Sequence, residues 1–369
     1  MLDFTSALYL GLRHASGSLR PWARLTAGVP AALASPPLAE RIAGELARLT
    51  GVERATLARS TLHAFWDLFV IFGSRNGAIH VDAGSYPIAR WGVERAAAKG
   101  LPTRTFAHHD AGALRRSLGR DARSGHRPLV LADGFCPSCG SAAPIREYLE
   151  AVRGHGGRLV LDDTQALGIL GESPGRSEPY GAGGGGSLRC AGVGGPDILV
   201  VSSLAKGFGA PLAVVGGSAP DVAQFGALSE TRVHTSPPSF ADLHAAERAL
   251  ELNRSHGDAL RVRLARLVLK FRSGLSRLGL PIGRSLFPVQ SLGQIPGLDT
   301  RLLHSRLSRL GVRTALHQSR CRSRPQVSFL ITAAHTPAEV DHALEALASL
   351  VARRRDPAPS PSDAVFARA

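Results

Sequence analysis

The chain is short of several things, and each shortage excludes something. Four cysteines in 369 residues exclude a disulfide-stapled scaffold. No apolar run approaches the roughly 18 residues of a membrane-spanning helix, so no membrane partner is expected. Aromatics are 5%, too few to interleave the basic surface of a nucleic-acid reader, and no nucleic-acid partner is expected. The opening segment lacks a basic stretch followed by an apolar run and a cleavage site, so a cytoplasmic protein is expected. Lysine is scarcest of all: of 44 basic residues only Lys99, Lys206 and Lys270 are lysines. The formal charge of +15 is therefore carried by arginines spread along the chain, and its field favours anionic ligands such as phosphates or carboxylates.

What is present reads as an α/β protein. Residues 36–50 have helical periodicity, with Pro37 at the start and Gly51 at the stop. Residues 53–61 read as a short buried segment entering a helix at Ser60 or Thr61. Strands are expected at 78–83, 103–108, 128–134, 158–163, 197–203 and 211–218, with helices at 88–100, 110–121 and 145–157. That alternation of apolar strands and helices means a mostly parallel sheet covered on both faces. From about 240 the pattern changes to long amphipathic helices through 241–278. β-like pieces follow at 286–293 and 326–335, then a helix from Thr336 with a capping box. The expected division is an N-terminal segment 1–45, a large domain 46–238, a smaller α+β domain 239–355 and a flexible tail 356–369. Residues 181–195, GAGGGGSLRCAGVGG, read as a flexible surface loop.

Three constellations carry chemistry. Lys206 follows the strand 197–203 on a glycine-rich turn, where an α/β sheet delivers side chains to a ligand crevice. There burial can lower its pKa and prepare it for a Schiff base. Asp162 closes an apolar strand, where a carboxylate is costly unless it meets a cation such as a protonated pyridine. Tyr86 lies just past a strand end, where a ring can stack on a flat cofactor.

Together these segments resemble the fold type I pyridoxal-phosphate enzymes, and most closely the α-oxoamine synthase branch of the class I/II aminotransferase superfamily. The resemblance runs through LDFTSALYLGL (2–12), DGFCPSCGSAAPI (133–145), LVLDDTQALGILGE (159–172), VVSSLAKGFGAPLAVVGGS (200–218), HTSPPS (234–239) and FLITAAHTPAEVDHALEAL (329–347). It implies a large domain with a mostly parallel sheet, a smaller C-terminal domain, and pyridoxal 5'-phosphate as cofactor. It further implies that Lys206 forms the internal aldimine and shuttles the Cα proton. Asp162 would pair with the pyridine nitrogen and Tyr86 would stack where the synthases carry a histidine. Gln165 would contact the cofactor's phenolic oxygen. Ser60, Thr61, Leu62 and Ser203 would hold the phosphate, and Thr235 and Ser236 would reach the neighbouring subunit's phosphate in a homodimer with shared active sites.

The chain also departs from the family. The arginine that grips an amino-acid carboxylate is replaced in Arg324-Pro-Gln326-Val-Ser328, leaving Arg322 or Arg324 as shifted candidates. Both active-site histidines of the synthases are replaced, and the phosphate and substrate loop is altered at Thr26–Ala32. The expected activity is a transferase acting on a small amino substrate through an external aldimine and a Cα carbanion, by amino transfer or C–C condensation, in a biosynthetic pathway. Cβ/Cγ elimination or substitution, and a non-catalytic binding or regulatory protein on the same scaffold, stay open. Cys136-Pro-Ser-Cys139 reads as two small residues in a tight loop; zinc would need two more ligands, and Cys190 and Cys321 stand singly. No metal is expected.

Overall fold

A computed structural model describes residues 1–73, 77–122, 127–318, 321 and 324–352. Seven strands form the main sheet, in the order Arg54–Ala58, Ala213–Gly217, Ile198–Ser203, Arg158–Asp162, Arg127–Asp133, Gly77–Asp82, Thr103–Phe106. Ala213–Gly217 runs antiparallel to both its neighbours, and the other pairings are parallel.

The central strands are apolar throughout because both faces are covered, and their residues divide between the faces with period two. Leu129, Leu131, Val160, Leu199 and Val201 pack with Phe65, Phe69 and Val93 on one side. Val130, Ala132, Leu159, Leu161, Ile198 and Val200 pack with Leu114, Leu118, Tyr148 and Val152 on the other. The covering helices include Thr61–Phe72, Pro87–Ala98, Ala111–Ala122 and Ile145–Arg153. The last of these stops short of its expected end because Gly154, Gly156 and Gly157 follow, Gly156 with a φ of 61°.

Residues 240–277 form one unbroken helix of 38 residues, not several. It is started by a capping box between Ser239 and Asp242 and is about 57 Å long at helical rise. Its C-terminal half packs under a second sheet, ordered Leu2–Phe4, Val312–His317, Gln326–Leu330, Val289–Ser291. The chain's first strand is thus parallel to Val312–Thr314. Pro337–Ala352 closes this layer, and its expected capping box is present between Thr336 and Glu339. No element is expected from sequence within 297–325, where the structure has a helix Thr300–Arg309 and the strand Val312–His317. Only Leu303 and Leu307 of that helix are buried, so its apolar stripe is thin. The segment 356–369, expected as a tail, lies outside the described residues. Among the described residues no helix is long and apolar enough to cross a membrane.

The glycine-rich segment differs from expectation. It is not a flexible surface loop: Gly184 to Leu188 are buried and Ser187–Ala191 is helical. Gly184 accepts from the backbone of Gly168, and Gly186 donates to Leu170. Glycine is required by proximity, since a Cβ on Gly186, whose φ is 90°, would collide with Asp163.

Candidate active site

Parallel strands deliver their C-terminal residues to one edge of the sheet. Three neighbouring strands here end in aspartate: Asp82, Asp133 and Asp162, with Asp133 and Asp162 directly in register. Lys206 follows the next strand, Ile198–Ser203. Together with segments of the C-terminal sheet, Asp133, Asp162 and Lys206 bound a cavity of about 570 Å³. Six residues singled out from sequence share it: Lys206, Asp162, Tyr86, Thr61, Gln165 and Ser203.

The electrostatics are those of charges withdrawn from water. Burial pushes the Asp162 carboxyl above its usual range, opposed by hydrogen bonds from Thr164 and by the charge of Lys206. Burial, with Asp162 beside it, pushes Asp133 well up also. Burial pulls the Lys206 amine down, while Asp162 and Asp133 hold it up. Burial thus favours the neutral form of all three groups, while the attraction between lysine and acids favours their charged forms, a setting that moves catalytic groups toward neutral pKa values. The Lys206 Nζ stands 5.7 Å from the centre of the Tyr86 ring. That ring is 52% exposed, so it is not a core tyrosine, and Asp133 accepts from its backbone N–H at 3.1 Å.

Gln165 is oriented from behind, with the buried Tyr9 hydroxyl donating to its Oε1 at 2.7 Å. Ser203 donates its N–H to Thr164 Oγ1 and accepts from Ala205. Ser60 is the N-cap of the helix Thr61–Phe72 but does not cap it; its hydroxyl meets His63 Nδ1 at 2.8 Å. Leu62 is in the same turn and does not line the cavity. Thr235 and Ser236 also lie away from it. The Thr235 carbonyl accepts from Ala31 and its hydroxyl donates to Thr231. Arg324 is exposed and donates to Gln294 at 2.7 Å, and Arg322 lies outside the described residues. Lys99 and Lys270 pair at the surface with Glu230 and Asp341.

Asp133, Thr164 and Tyr9 were not singled out from sequence. Asp133 had a signal, since it ends an apolar strand as Asp162 does; Thr164 and Tyr9 had none. The second acid of the pair, Asp163, faces away from the cavity and accepts from Ser187 N–H at 2.9 Å.

This donor set fits pyridoxal phosphate. It offers a lysine, a buried carboxylate for a cationic ring nitrogen, an open aromatic face and a helix N-terminus without a side-chain cap. Residues 40–347 match the family described as aminotransferase class I and II. An 8-amino-7-oxononanoate synthase of Sodalis glossinidius is 30% identical over 355 residues, covering 94% of this chain and 87% of that protein. Another, from Alkalilimnicola ehrlichii, is 31% identical over 263 residues, covering 70% of this chain but only 64% of that protein. Among solved structures, a lysine-to-alanine variant of serine palmitoyltransferase from S. paucimobilis, with a bound PLP–myriocin aldimine, superposes with a TM-score of 0.81, at 16% identity and 95% and 87% coverage of this and that chain. The 8-amino-7-oxononanoate synthase of Francisella tularensis gives 0.73 at 18% identity, covering 95% and 98%. At such identities the structural likenesses establish the fold, and the sequence matches establish the lineage. The chain belongs to the aminotransferase class I and II family of pyridoxal-phosphate-dependent transferases, within its α-oxoamine synthase branch.

Proposed function

We propose that the cavity holds pyridoxal phosphate and carries out C–C condensation at the Cα of a small amino substrate, with an acyl donor as the second substrate. The observation that carries this reading is Lys206 at a strand end with Asp162 and Asp133 as its countercharges. Bound there, the cofactor supplies a sink for the Cα electrons. Asp162, kept from water, holds a proton on the pyridine nitrogen. Lys206, whose amine burial makes easier to deprotonate, takes the Cα proton and returns it. Tyr86 covers one ring face. Because Tyr9 occupies Gln165 Oε1, the amide's donor end is the one left for the phenolic oxygen. Thr61, with Ser60 and Leu62 in the same turn, and Ser203 hold the phosphate. Thr235 and Ser236, remote from their own cavity, serve the neighbouring subunit's phosphate in a cytoplasmic homodimer.

Condensation is favoured over amino transfer by the names of the relatives and by the wall of Ile88, Val289, Ala315 and Leu330, which suits an apolar acyl chain. Lys206 is the only lysine or arginine among the described residues lining the cavity.

The test is the visible spectrum of the protein with added pyridoxal phosphate, against Lys206→Ala. A cofactor band present in the parent and absent in the variant is expected. A parent showing only free cofactor would make the chain a non-catalytic scaffold. Incubation with amino acids and acyl thioesters should then release thiol; a 2-oxo acid formed instead, with no thiol, would mean amino transfer.

A further inference from the structure

Three cysteines and a histidine that are dispersed in sequence converge beside the cavity. His108 follows the strand Thr103–Phe106. Cys136 ends the short strand Phe135–Cys136, Cys139 lies in the turn that follows it, and Cys321 follows the C-terminal sheet strand Val312–His317. Their Nε2/Nδ1 and Sγ atoms all lie within 4.8 Å of one another. The sulfurs of Cys136 and Cys321 are 3.6 Å apart, and His108 Nε2 is 3.4 Å from the Cys139 sulfur. A tetrahedral zinc ion with Zn–S of about 2.3 Å and Zn–N of about 2.05 Å requires S···S edges of about 3.8 Å and S···N edges of about 3.6 Å. The two distances match those edges to within a few tenths of an ångström.

The histidine is also oriented for this role. Its Nδ1 bonds Asp82 Oδ1 at 2.6 Å, which leaves Nε2, the atom facing the sulfurs, as the ligating nitrogen. Asp82 is itself fixed, accepting from Gly84 N–H, His109 N–H and the Tyr148 hydroxyl at 2.7, 3.0 and 3.1 Å. A carboxylate behind a histidine is the outer-shell arrangement that sets tautomer and ring orientation at metal sites.

We propose that His108, Cys136, Cys139 and Cys321 bind one zinc ion in a closed site that fastens the C-terminal sheet to the strand ends of the main sheet. Three thiolates and one imidazole select a borderline-soft ion with tetrahedral geometry, and calcium and magnesium are excluded by their demand for oxygen. Four protein ligands leave no open position, so the ion is structural. Binding the ion replaces three thiol protons, which pass to solvent, and no electron is transferred. The clasp lies at the cavity wall: Cys136 and Cys321 line it, as do His317 and Gln318 on the approach to Cys321. It therefore fixes a strand end that lines the same cavity as Tyr86 and Lys206.

The experiment uses the full chain, purified under reducing conditions without chelator after growth with added zinc. Elemental analysis should give about one zinc per chain. Cys139→Ser and Cys321→Ser should each lower it tenfold or more, while Cys190→Ser, remote from the cluster, keeps it. Cobalt(II) alone, added to the stripped and reduced protein, should give the intense visible absorption of a tetrahedral thiolate site, saturating at about one equivalent. That band should be missing from Cys139→Ser with its far-UV circular dichroism unchanged. The proposal is overturned if the folded parent binds neither ion, or if both serine variants keep the zinc. A disulfide between any two of the three cysteines in anaerobically prepared protein would overturn it as well.

Discussion

Tyr9→Phe tests how the cavity is held in shape. Tyr9 is 1% exposed, and its ring lies edge-on to Phe287 at 5.5 Å. Phenylalanine preserves that packing and removes only the hydroxyl. Burial pushes the phenol well above its ordinary value, so the hydroxyl is a donor at every working pH. The lost bond is the 2.7 Å contact to Gln165 Oε1. A neutral hydrogen bond contributes about 1 kcal/mol net, and the orphaned acceptor raises the cost to about 1–2 kcal/mol. The unfolding free energy of the cofactor-free variant, from urea titration, should therefore be lower by that amount. Gln165 is then free to turn, so pyridoxal phosphate affinity, followed by fluorescence quenching, should fall about tenfold, the equivalent of about 1.4 kcal/mol. In a Gln165→Ala background the same substitution should change neither quantity appreciably, because its partner is gone. Equal losses in both backgrounds, or unaltered cofactor affinity in Tyr9→Phe, would refute the orientation argument.

Two further outcomes follow from buried polar groups. Arg261, 2% exposed, donates to the Gly168 carbonyl and Asn253 Oδ1, both at 2.9 Å. Arg261→Met should destabilise by about 2–4 kcal/mol through those two unpaired acceptors, and an unchanged urea midpoint would show that water replaces the guanidinium. Asp163 has its carboxyl raised to about 7 by burial, against about 3.9 in an unfolded chain. The folded state thus holds a proton that the unfolded state has lost between those values, so stability is complete below about pH 4 and falls as pH rises through 7. The fall amounts to about 4 kcal/mol from this group. Asp163→Asn should flatten the curve of urea midpoint against pH over that window, and parallel curves for parent and variant would refute the assignment.

The sheet was legible because its strands are short apolar runs bounded by glycine, aspartate and serine, and Asp162 and Lys206 were legible because each breaks such a run at its end. Asp133 obeys the same rule and was readable in principle. Other features depend on folding. Tyr9 meets Gln165 across 156 residues, and Cys321 meets Cys136 across 185, separations at which spacing carries no signal. The glycine-rich segment misleads for another reason. Composition reports backbone freedom, whereas those glycines are there for close approach to Asp163 and the backbone at 168–172.

The pairing of Leu2–Phe4 with Val312–Thr314 bears on how the protein is made. Leu2–Phe4 leaves the ribosome long before its partner strand exists. At about 5–20 residues per second, some 310 residues of further synthesis take about 15–60 s. During that interval the strands from Arg54 to Gly217 are all available to one another, so the main sheet can collapse first. The C-terminal sheet has to wait and close a loop of about 310 residues. That high contact order places the slow folding step in the smaller layer. Phe4 and Leu10, buried in the native protein, are meanwhile exposed on a nascent chain and open to chaperones.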